Sequence, residues 1–253
     1  MLRIDRLSYS SQLRYVSTGE KFAFSVVTMV LCIAGQRVVP SVLVFFVMGI
    51  FTVLRGKIPF SDYRKLLTIP LAFLAVNAVI LGISVRREPL EVFAVSVGAW
   101  YVTAGKETID YGIRVFFTAM ASVSCMYFLA CNTTMTDLLT LFRRMKCPPV
   151  LVELMLLIYR FIFVLLDCAH AISTAQQSRL GYRDYKTSIQ SFGGLASHLF
   201  ICSIKRSERL YDAMEARGYN GTIQVLDEEH PPKKSEIVGI AVFELCLVWL
   251  LWR

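Results

Sequence analysis

Two arginines occupy corresponding places in the stretches AQQSRLGY (175–182) and AMEARGY (213–219). In each stretch an Ala is followed by two variable residues, a small residue and Arg, and the stretch closes on Gly-Tyr, with Leu180 as an extra residue in the first copy. The planar guanidinium suits the binding of a partner's carboxylate, and small neighbours let it enter a groove. The plainer role of an Arg at a helix end is to complement the helix dipole, which stabilises by about 0.3–1 kcal/mol. Because Arg179 and Arg217 end two helices in the same way, we favour a docking surface for two copies of one partner.

The other chemistry-bearing residues form no pattern typical of a catalytic or metal centre. The seven cysteines include no C-x-x-C pair, and the three histidines lack the spacing of metal ligands. The sequence contains no G-x-x-x-x-G-K-[ST] phosphate loop. An intramembrane lipid or prenyl transferase is an alternative from a different class, but it needs acidic clusters that hold Mg²⁺, and none occurs. We therefore expect a non-catalytic protein that binds no metal or cofactor itself.

Glu244 is an isolated acid in the last apolar run of the chain. Acids inside membrane segments are costly, and they usually face a polar partner, an interface or an ion path. Structural pairing with another helix is the first interpretation of Glu244. An intramembrane interface with a partner subunit and a misplaced span are the alternatives.

The composition is that of a membrane protein, since 55% of the 253 residues are hydrophobic and 18% are charged. The apolar runs 66–85 and 115–131 are long enough to cross a bilayer about 30 Å thick. The shorter runs 22–35 and 38–54 predict a hairpin of two spans, and 237–252 predicts the last span. Small side chains give the fourth span a face that another helix can approach closely: Thr118, Ala121, Ser122 and Cys125.

The apolar run 150–168 is predicted to lie outside the membrane. Glu153, Arg160 and Asp167 are seven residues apart, so on a helix they form one slowly drifting polar stripe. The positive-inside rule supports this placement, because the resulting five-span topology puts 21 of the 27 Lys and Arg residues on the cytoplasmic side. A sixth span at 150–168 would move the nine Lys and Arg residues of 179–234 to the outside and remove this bias. The predicted fold class is therefore all-α: a polytopic membrane protein of about five transmembrane helices, with the N-terminus cytoplasmic.

This topology divides the chain into an N-terminal segment with four spans (1–131), a cytoplasmic helical coupling domain (132–236) and the C-terminal span (237–253). The coupling domain is predicted to contain three helices. The first begins at TTMTD and ends before Pro148, and the second runs from about 150 to 179. The third runs from about 186 to 217, with an inner face predicted from Ile189, Phe192, Ala196, Leu199 and Ser203.

With these motifs in place, nearly the whole chain resembles the transmembrane T component of energy-coupling factor (ECF) transporters, a class of ABC-type importers. The resemblance is carried by IDRLSYSSQLRYVSTGEK near the N-terminus, TTMTDLLTLFRRMKCPP, LLIYRF and RSERLYDAMEARGYNG. The N-terminal stretch is similar to the cobalt-type branch, CbiQ. The last motif is the specific one, and the others contribute by their order and spacing.

The resemblance implies that Arg179 and Arg217 lie at the tips of two coupling helices, each docked on one of two ATPase subunits. Ala216, Arg217 and Gly218 match the family's Ala-Arg-Gly motif, whereas Ser178, Arg179 and Leu180 depart from it on both sides of the Arg. It further implies CbiO-like ATPases that hold ATP and Mg²⁺, a substrate-binding S component (CbiM-like) that holds Co²⁺, and a small CbiN-like membrane subunit. A T component serving nickel or vitamin S subunits is the alternative. The net charge of +8 is attributed to the cytoplasmic face and the bilayer surface, and no nucleic acid partner is expected.

Overall fold

The computed structural model describes residues 3–82, 84–86, 93–97, 100–221, 223 and 233–252. The chain forms two compact units, one of Met135–Asp227 and one of Leu2–Thr134 with Glu228–Arg253.

The larger unit contains six α-helices, a 3-10 turn at Gln12–Tyr15 and a π-helical turn at Phe51–Arg55 among its described residues. The α-helices are α1 (Arg3–Ser10), α2 (Thr18–Gly35), α3 (Val38–Ile50), α4 (Phe60–Gly82), α5 (Lys106–Asn132) and, after the smaller unit, the last helix (Lys234–Trp252), called α9 in chain order. Helices α2 and α3 are separated by Gln36 and Arg37, of which Gln36 adopts the left-handed conformation (φ 44°). Pro40 lies in the first turn of α3, where its missing N–H costs nothing.

Helix α5 is the centre of this unit, since α2, α3 and α4 all pack against it. The close approach uses three of the four predicted small side chains: Ala121 and Cys125 are fully buried and Thr118 is nearly so, whereas Ser122 is only half-buried. Around them lies an apolar core that includes Phe24, whose ring contacts Phe128 edge to face at 5.7 Å between centroids.

A small antiparallel sheet that the sequence analysis did not predict lies between α4 and α5. Its strands are β1 (Ser84–Arg86), β2 (Phe93–Val97) and β3 (Trp100–Ala104), in the order β1-β3-β2. Val97 pairs with Trp100 and Val95 with Val102, so β2 and β3 form a tight hairpin. The predicted span 66–85 therefore ends earlier, with α4, at Gly82.

The smaller unit is a three-helix structure of α6 (Met135–Arg144), α7 (Pro149–Ser178) and α8 (Tyr185–Glu215). All three predicted helices are present, and Pro149 occupies the first turn of α7 as a proline does at a helix start. Helix α6 packs on the first part of α7, where Leu139, Val152 and Leu156 form the core with Ile223 beside them. Helix α8 returns along α7.

Six helices are long and apolar enough to cross a membrane in the described part of the chain. Five of them belong to the larger unit: α2, α3 with the π-helical turn, α4, α5 and α9. The prediction of an all-α, polytopic membrane protein is confirmed, with the small sheet as an addition. The sixth helix is α7, which qualifies by length and composition but belongs to the smaller unit with α6 and α8.

Candidate functional site

The first candidate arginine lies where α7 ends. The N–H of Leu180 donates to the carbonyl of Gln177 (3.0 Å), and the N–H of Gly181 donates to the carbonyl of Gln176 (2.8 Å). This pair of bonds is a Schellman motif, which closes the last helical turn and leaves Arg179 as its final residue. Leu180 occupies the left-handed position of the motif with φ 58°, a conformation that costs a side chain with a Cβ about 1 kcal/mol. We call residues 176–181 the first tip.

The end of α8 is built in the same way. The N–H of Gly218 donates to the carbonyl of Glu215 (2.9 Å), the N–H of Tyr219 donates to the carbonyl of Met214 (3.0 Å), and Gly218 is left-handed with φ 78°. Arg217 therefore holds the position in residues 214–219, the second tip, that Arg179 holds in the first.

This correspondence corrects one sequence interpretation. Leu180 is not an extra residue, because it takes the left-handed position that Gly218 takes in the second tip. Counting along the two motifs, Gly181 then corresponds to Tyr219, and the two tips match without an insertion.

Both arginines are available for binding. The residues predicted to dock are all exposed: Ser178, Arg179, Leu180, Ala216, Arg217 and Gly218. Within the described ranges, neither the Arg179 nor the Arg217 guanidinium has a hydrogen bond or an ion pair. Arg183, only four residues after Arg179, instead donates to the Asp184 carboxylate at 3.3 Å. Each tip thus exposes a charged guanidinium whose hydrogen-bond donors are not used by other described residues.

The first tip is held by the start of α8. The Ser191 hydroxyl donates to the carbonyl of Gly181 (2.7 Å), and the Gln176 amide donates to the carbonyl of Ser191 (2.8 Å). The Tyr182 hydroxyl donates to the Gln176 side-chain oxygen (2.7 Å). A Cβ on Gly181 would come within 2.7 Å of the Ser191 hydroxyl oxygen, so this close contact requires a glycine.

The second tip is held by a residue that the sequence analysis placed elsewhere. Glu153, only 6% exposed, accepts the Tyr219 hydroxyl at 2.8 Å with one carboxylate oxygen and the Ile223 N–H at 2.8 Å with the other. Arg143 of α6 donates to the carbonyl of Ile223 at 2.6 Å. Donation to the Glu153 carboxylate raises the pKa of Tyr219, because the bond favours the neutral phenol. Glu153 thereby fastens the chain just after Arg217 to α7.

The predicted polar stripe on α7, formed by Glu153, Arg160 and Asp167, is wrong at Glu153. Arg160 and Asp167 are exposed, but Glu153 turns inward. The seven-residue spacing drifts by about 20° per heptad on a straight helix, and two donors from the chain after α8 stabilise the carboxylate inside. The seven-residue spacing of the three charged residues gave no sign of these distant donors.

The predicted inner face of α8 is also wrong in part. Leu199 and Ser203 are half-buried as predicted, but Ile189 and Phe192 are 55% and 67% exposed, and Ala196 is exposed. Ser191, near the start of α8, instead contacts the first tip through its hydroxyl, which donates to the carbonyl of Gly181. The bulky apolar face of α8 is left uncovered within the smaller unit.

Glu244 pairs within the larger unit. Its Oε1 lies 2.7 Å from the Thr28 hydroxyl of α2, while its Oε2 is buried without a hydrogen-bond partner among the described residues. The Thr28 hydroxyl also lies 2.6 Å from the carbonyl of Phe24. This pairing supports the structural interpretation of Glu244, and a role at an interface stays a prediction.

A buried polar cluster at the end of α5 was missed by the sequence analysis. Lys21, 3% exposed, donates to the carbonyls of Leu13 and Asn132, both at 3.0 Å. The Ser11 hydroxyl donates to the Asn132 side-chain oxygen at 2.7 Å. Gly56 packs so closely that a Cβ there would collide with the Asn132 side-chain oxygen. These bonds fasten the N-terminal segment to the C-terminal end of α5. They could not be inferred from the sequence because the bonded residues are more than 100 positions apart.

No group of three or more His, Cys, Asp or Glu residues that could hold a metal ion occurs in the regions that the structure describes.

Comparison with known proteins gives the class. Residues 10–227 match the family model of CbiQ, described as a cobalt transport protein. The chain is 33% identical to an uncharacterized protein of Methanocaldococcus jannaschii over 98% of this chain and 92% of that protein. It is 28% identical to the cobalt transport protein CbiQ of Salmonella typhimurium (87% and 98%) and 29% identical to the energy-coupling factor transporter transmembrane protein EcfT of Exiguobacterium sibiricum (68% and 67%). The fold and these relatives define a multi-pass membrane component of an ECF transporter. Within that class, the chain belongs to the CbiQ family.

Proposed function

We propose that this chain is the non-catalytic coupling subunit of an ECF importer, and that each of its two tips docks on one ATPase subunit. The observation that carries the proposal is the identical construction of the two helix ends, each with an exposed arginine that has no partner among the described residues. Two equivalent tips suit a partner present in two copies. ATP and Mg²⁺ belong on those CbiO-like partners.

The chemistry of the tips supports docking through carboxylates. In each Schellman motif the carbonyls at the helix end already accept bonds from the main chain, so the arginine is not needed to cap them. An arginine buried at an interface can bind a carboxylate through two parallel hydrogen bonds. We expect each arginine to contribute about 2 kcal/mol or more to the complex, which is about thirty-fold in Kd.

The uncovered apolar face of α8 supports a second partner of membrane character. Ile189, Phe192 and Phe200 of α8 are more than half exposed. Contiguous exposed apolar surface marks an interaction site. We assign it to the S component, a CbiM-like protein with which a small CbiN-like subunit associates, and Glu244 to an additional intramembrane interface with it.

The proposed orientation of the chain in the membrane rests on the distribution of its Lys and Arg residues. Five candidate spans in the larger unit and the enrichment of Lys and Arg in residues 1–21, 55–65 and 132–236 support an N-terminus and a coupling domain on the cytoplasmic side. We keep the domain bounds at 1–131, 132–236 and 237–253, and the unit Met135–Asp227 falls inside the second of them. Helix α7 then lies outside the membrane core as part of the coupling domain.

The substrate is proposed to be Co²⁺, carried by the S component, because the matching family model and the Salmonella relative are described as cobalt transport proteins. Nickel or vitamin transport is the alternative. Uptake of cobalt, nickel and labelled vitamins by cells that express the complete complex separates these substrates.

Co-purification of the ATPase subunits tests the docking proposal. The variants are Arg179→Ala, Arg217→Ala and the double change, and Arg183→Ala is the matched control because it removes an exposed arginine only four residues after Arg179. We expect each single change to weaken ATPase recovery, the double change to abolish it, and the control to keep it. Wild-type recovery with the double variant in the membrane would overturn the proposal.

A further inference from the structure

Two cysteines of the smaller unit face each other across the α7–α8 pair. The Sγ atoms of Cys168 on α7 and Cys202 on α8 are 3.8 Å apart, and the two residues are 34 positions apart in sequence. Both side chains are half-buried, so small oxidants can reach them. Cys32, Cys125 and Cys131, in contrast, are buried in the larger unit.

We propose that Cys168 and Cys202 are a reversible disulfide modification site that staples α7 to α8. A disulfide needs an S–S distance of about 2 Å, so the two sulfurs have only about 2 Å further to approach. The hydrogen bonds between Gln176 and Ser191 and between Ser191 and Gly181 fix the register of the two helices nearby. Side-chain rotation and a small helix shift therefore bring the sulfurs together without a change of register.

The oxidant is a peroxide. One thiolate attacks a peroxide oxygen, the O–O bond breaks, and the products are a sulfenic acid and, after protonation, water. The second thiol attacks the sulfenic sulfur, the S–O bond breaks, and a second water leaves as the S–S bond forms. In total the two thiols lose two electrons and two protons, and the peroxide is reduced to two waters. A dithiol reductant reverses the modification by thiol–disulfide exchange.

The position of the pair gives the bond a consequence. Cys168 lies about 15 Å along α7 from Ser178, at the usual rise per residue, and the chain between the two cysteines contains the whole first tip. The disulfide closes this segment into a loop. This consequence rests on the proposed function. Oxidation fixes the distance between α7 and α8 close to the first tip, and it thereby slows the movement of that tip that coupling to the ATPase requires.

Mass spectrometry on the full chain in membranes tests the site directly. After hydrogen peroxide treatment and blocking of free thiols, trypsin cuts between the two cysteines at Arg179, Arg183 and Lys186, so a disulfide appears as two joined peptides. We expect this species in wild type, its loss after a dithiol reductant, and its absence in Cys168→Ser and Cys202→Ser. Cys246→Ser, which removes an exposed cysteine, should keep it. Two separately blocked or over-oxidised thiols in wild type would overturn the site, and this result does not depend on any variant's folding.

Transport by the complete complex tests the consequence. Oxidation should lower ATP-driven uptake several-fold in wild type, reversibly, and leave Cys202→Ser unaffected. Unchanged uptake by a wild-type sample in which every chain carries the disulfide would refute this effect on transport. Recovery of ATPase subunits with the reduced chain is measured separately, so failure of the proposed docking is distinguished from failure of the redox site.

Discussion

Removal of the Glu153 carboxylate is the sharpest structural test of how the second tip is held. In Glu153→Ala the Ile223 N–H and the Tyr219 hydroxyl, each 2.8 Å from a carboxylate oxygen, lose their common acceptor. A hydrogen bond to a charged group contributes about 1.5–3 kcal/mol, so the Ile223 bond alone corresponds to about a ten- to hundred-fold change in local opening. The segment after Arg217 should therefore loosen, whereas the first tip, held by Ser191 and Gln176, should not.

Hydrogen exchange of the full chain measures this opening at each tip. We expect the Ile223 amide to exchange about ten- to hundred-fold faster in Glu153→Ala, with unchanged protection at the first tip. In Glu153→Gln, which keeps an acceptor oxygen, the Ile223 amide should exchange at a rate between those of wild type and Glu153→Ala. Glu208→Ala, which removes an exposed glutamate of α8, is the control and should change neither tip. Unaltered exchange at Ile223, or equal loosening of both tips, would refute the account of Glu153 as the anchor.

Three further changes test other features by thermal unfolding of the full chain. Leu180→Gly should stabilise by up to about 1 kcal/mol because it removes the left-handed strain, whereas Leu180→Ala should not; equal effects would speak against strain. Asn132→Ala should destabilise by about 1–3 kcal/mol because the buried Ser11 cluster loses its acceptor, and a change within a few tenths would show that the cluster is dispensable. The Thr28 hydroxyl donates to the Glu244 carboxylate at 2.7 Å; Glu244→Gln keeps an acceptor oxygen there and should unfold like wild type, Glu244→Ala should unfold earlier, and equal losses would contradict this.

Much of the fold could be predicted from the sequence because local signals coincide with the physical boundaries. Pro149 marks the start of α7, and the five predicted apolar runs coincide with five candidate spans of the larger unit, although α4 and α5 begin six and nine residues before the predicted runs. The candidate arginines were found because helix ends carry local signatures, and Gly218 has the left-handed conformation expected of a glycine after a helix.

The missed features depend on contacts between residues far apart in sequence. Glu153 meets its donors 66 and 70 residues later, and Ser11 meets Asn132 121 residues later. Leu180 was interpreted as an insertion because the two stretches were aligned on their Gly-Tyr pairs, and since a leucine rarely takes the left-handed position, its backbone conformation could not be inferred from its type. The hairpin of β2 and β3 did leave a signal, since Phe93, Val95 and Val97 alternate with smaller or polar residues.

Photo-crosslinking from the two tips tests the central claim most directly. A photoreactive amino acid is placed at position 179, at position 217 or at both, in the complete complex in membranes. The account predicts one ATPase subunit joined to the chain from either single position and two from the double one. Crosslinks from both positions to lipid or to the S component alone, with none to an ATPase, would contradict it.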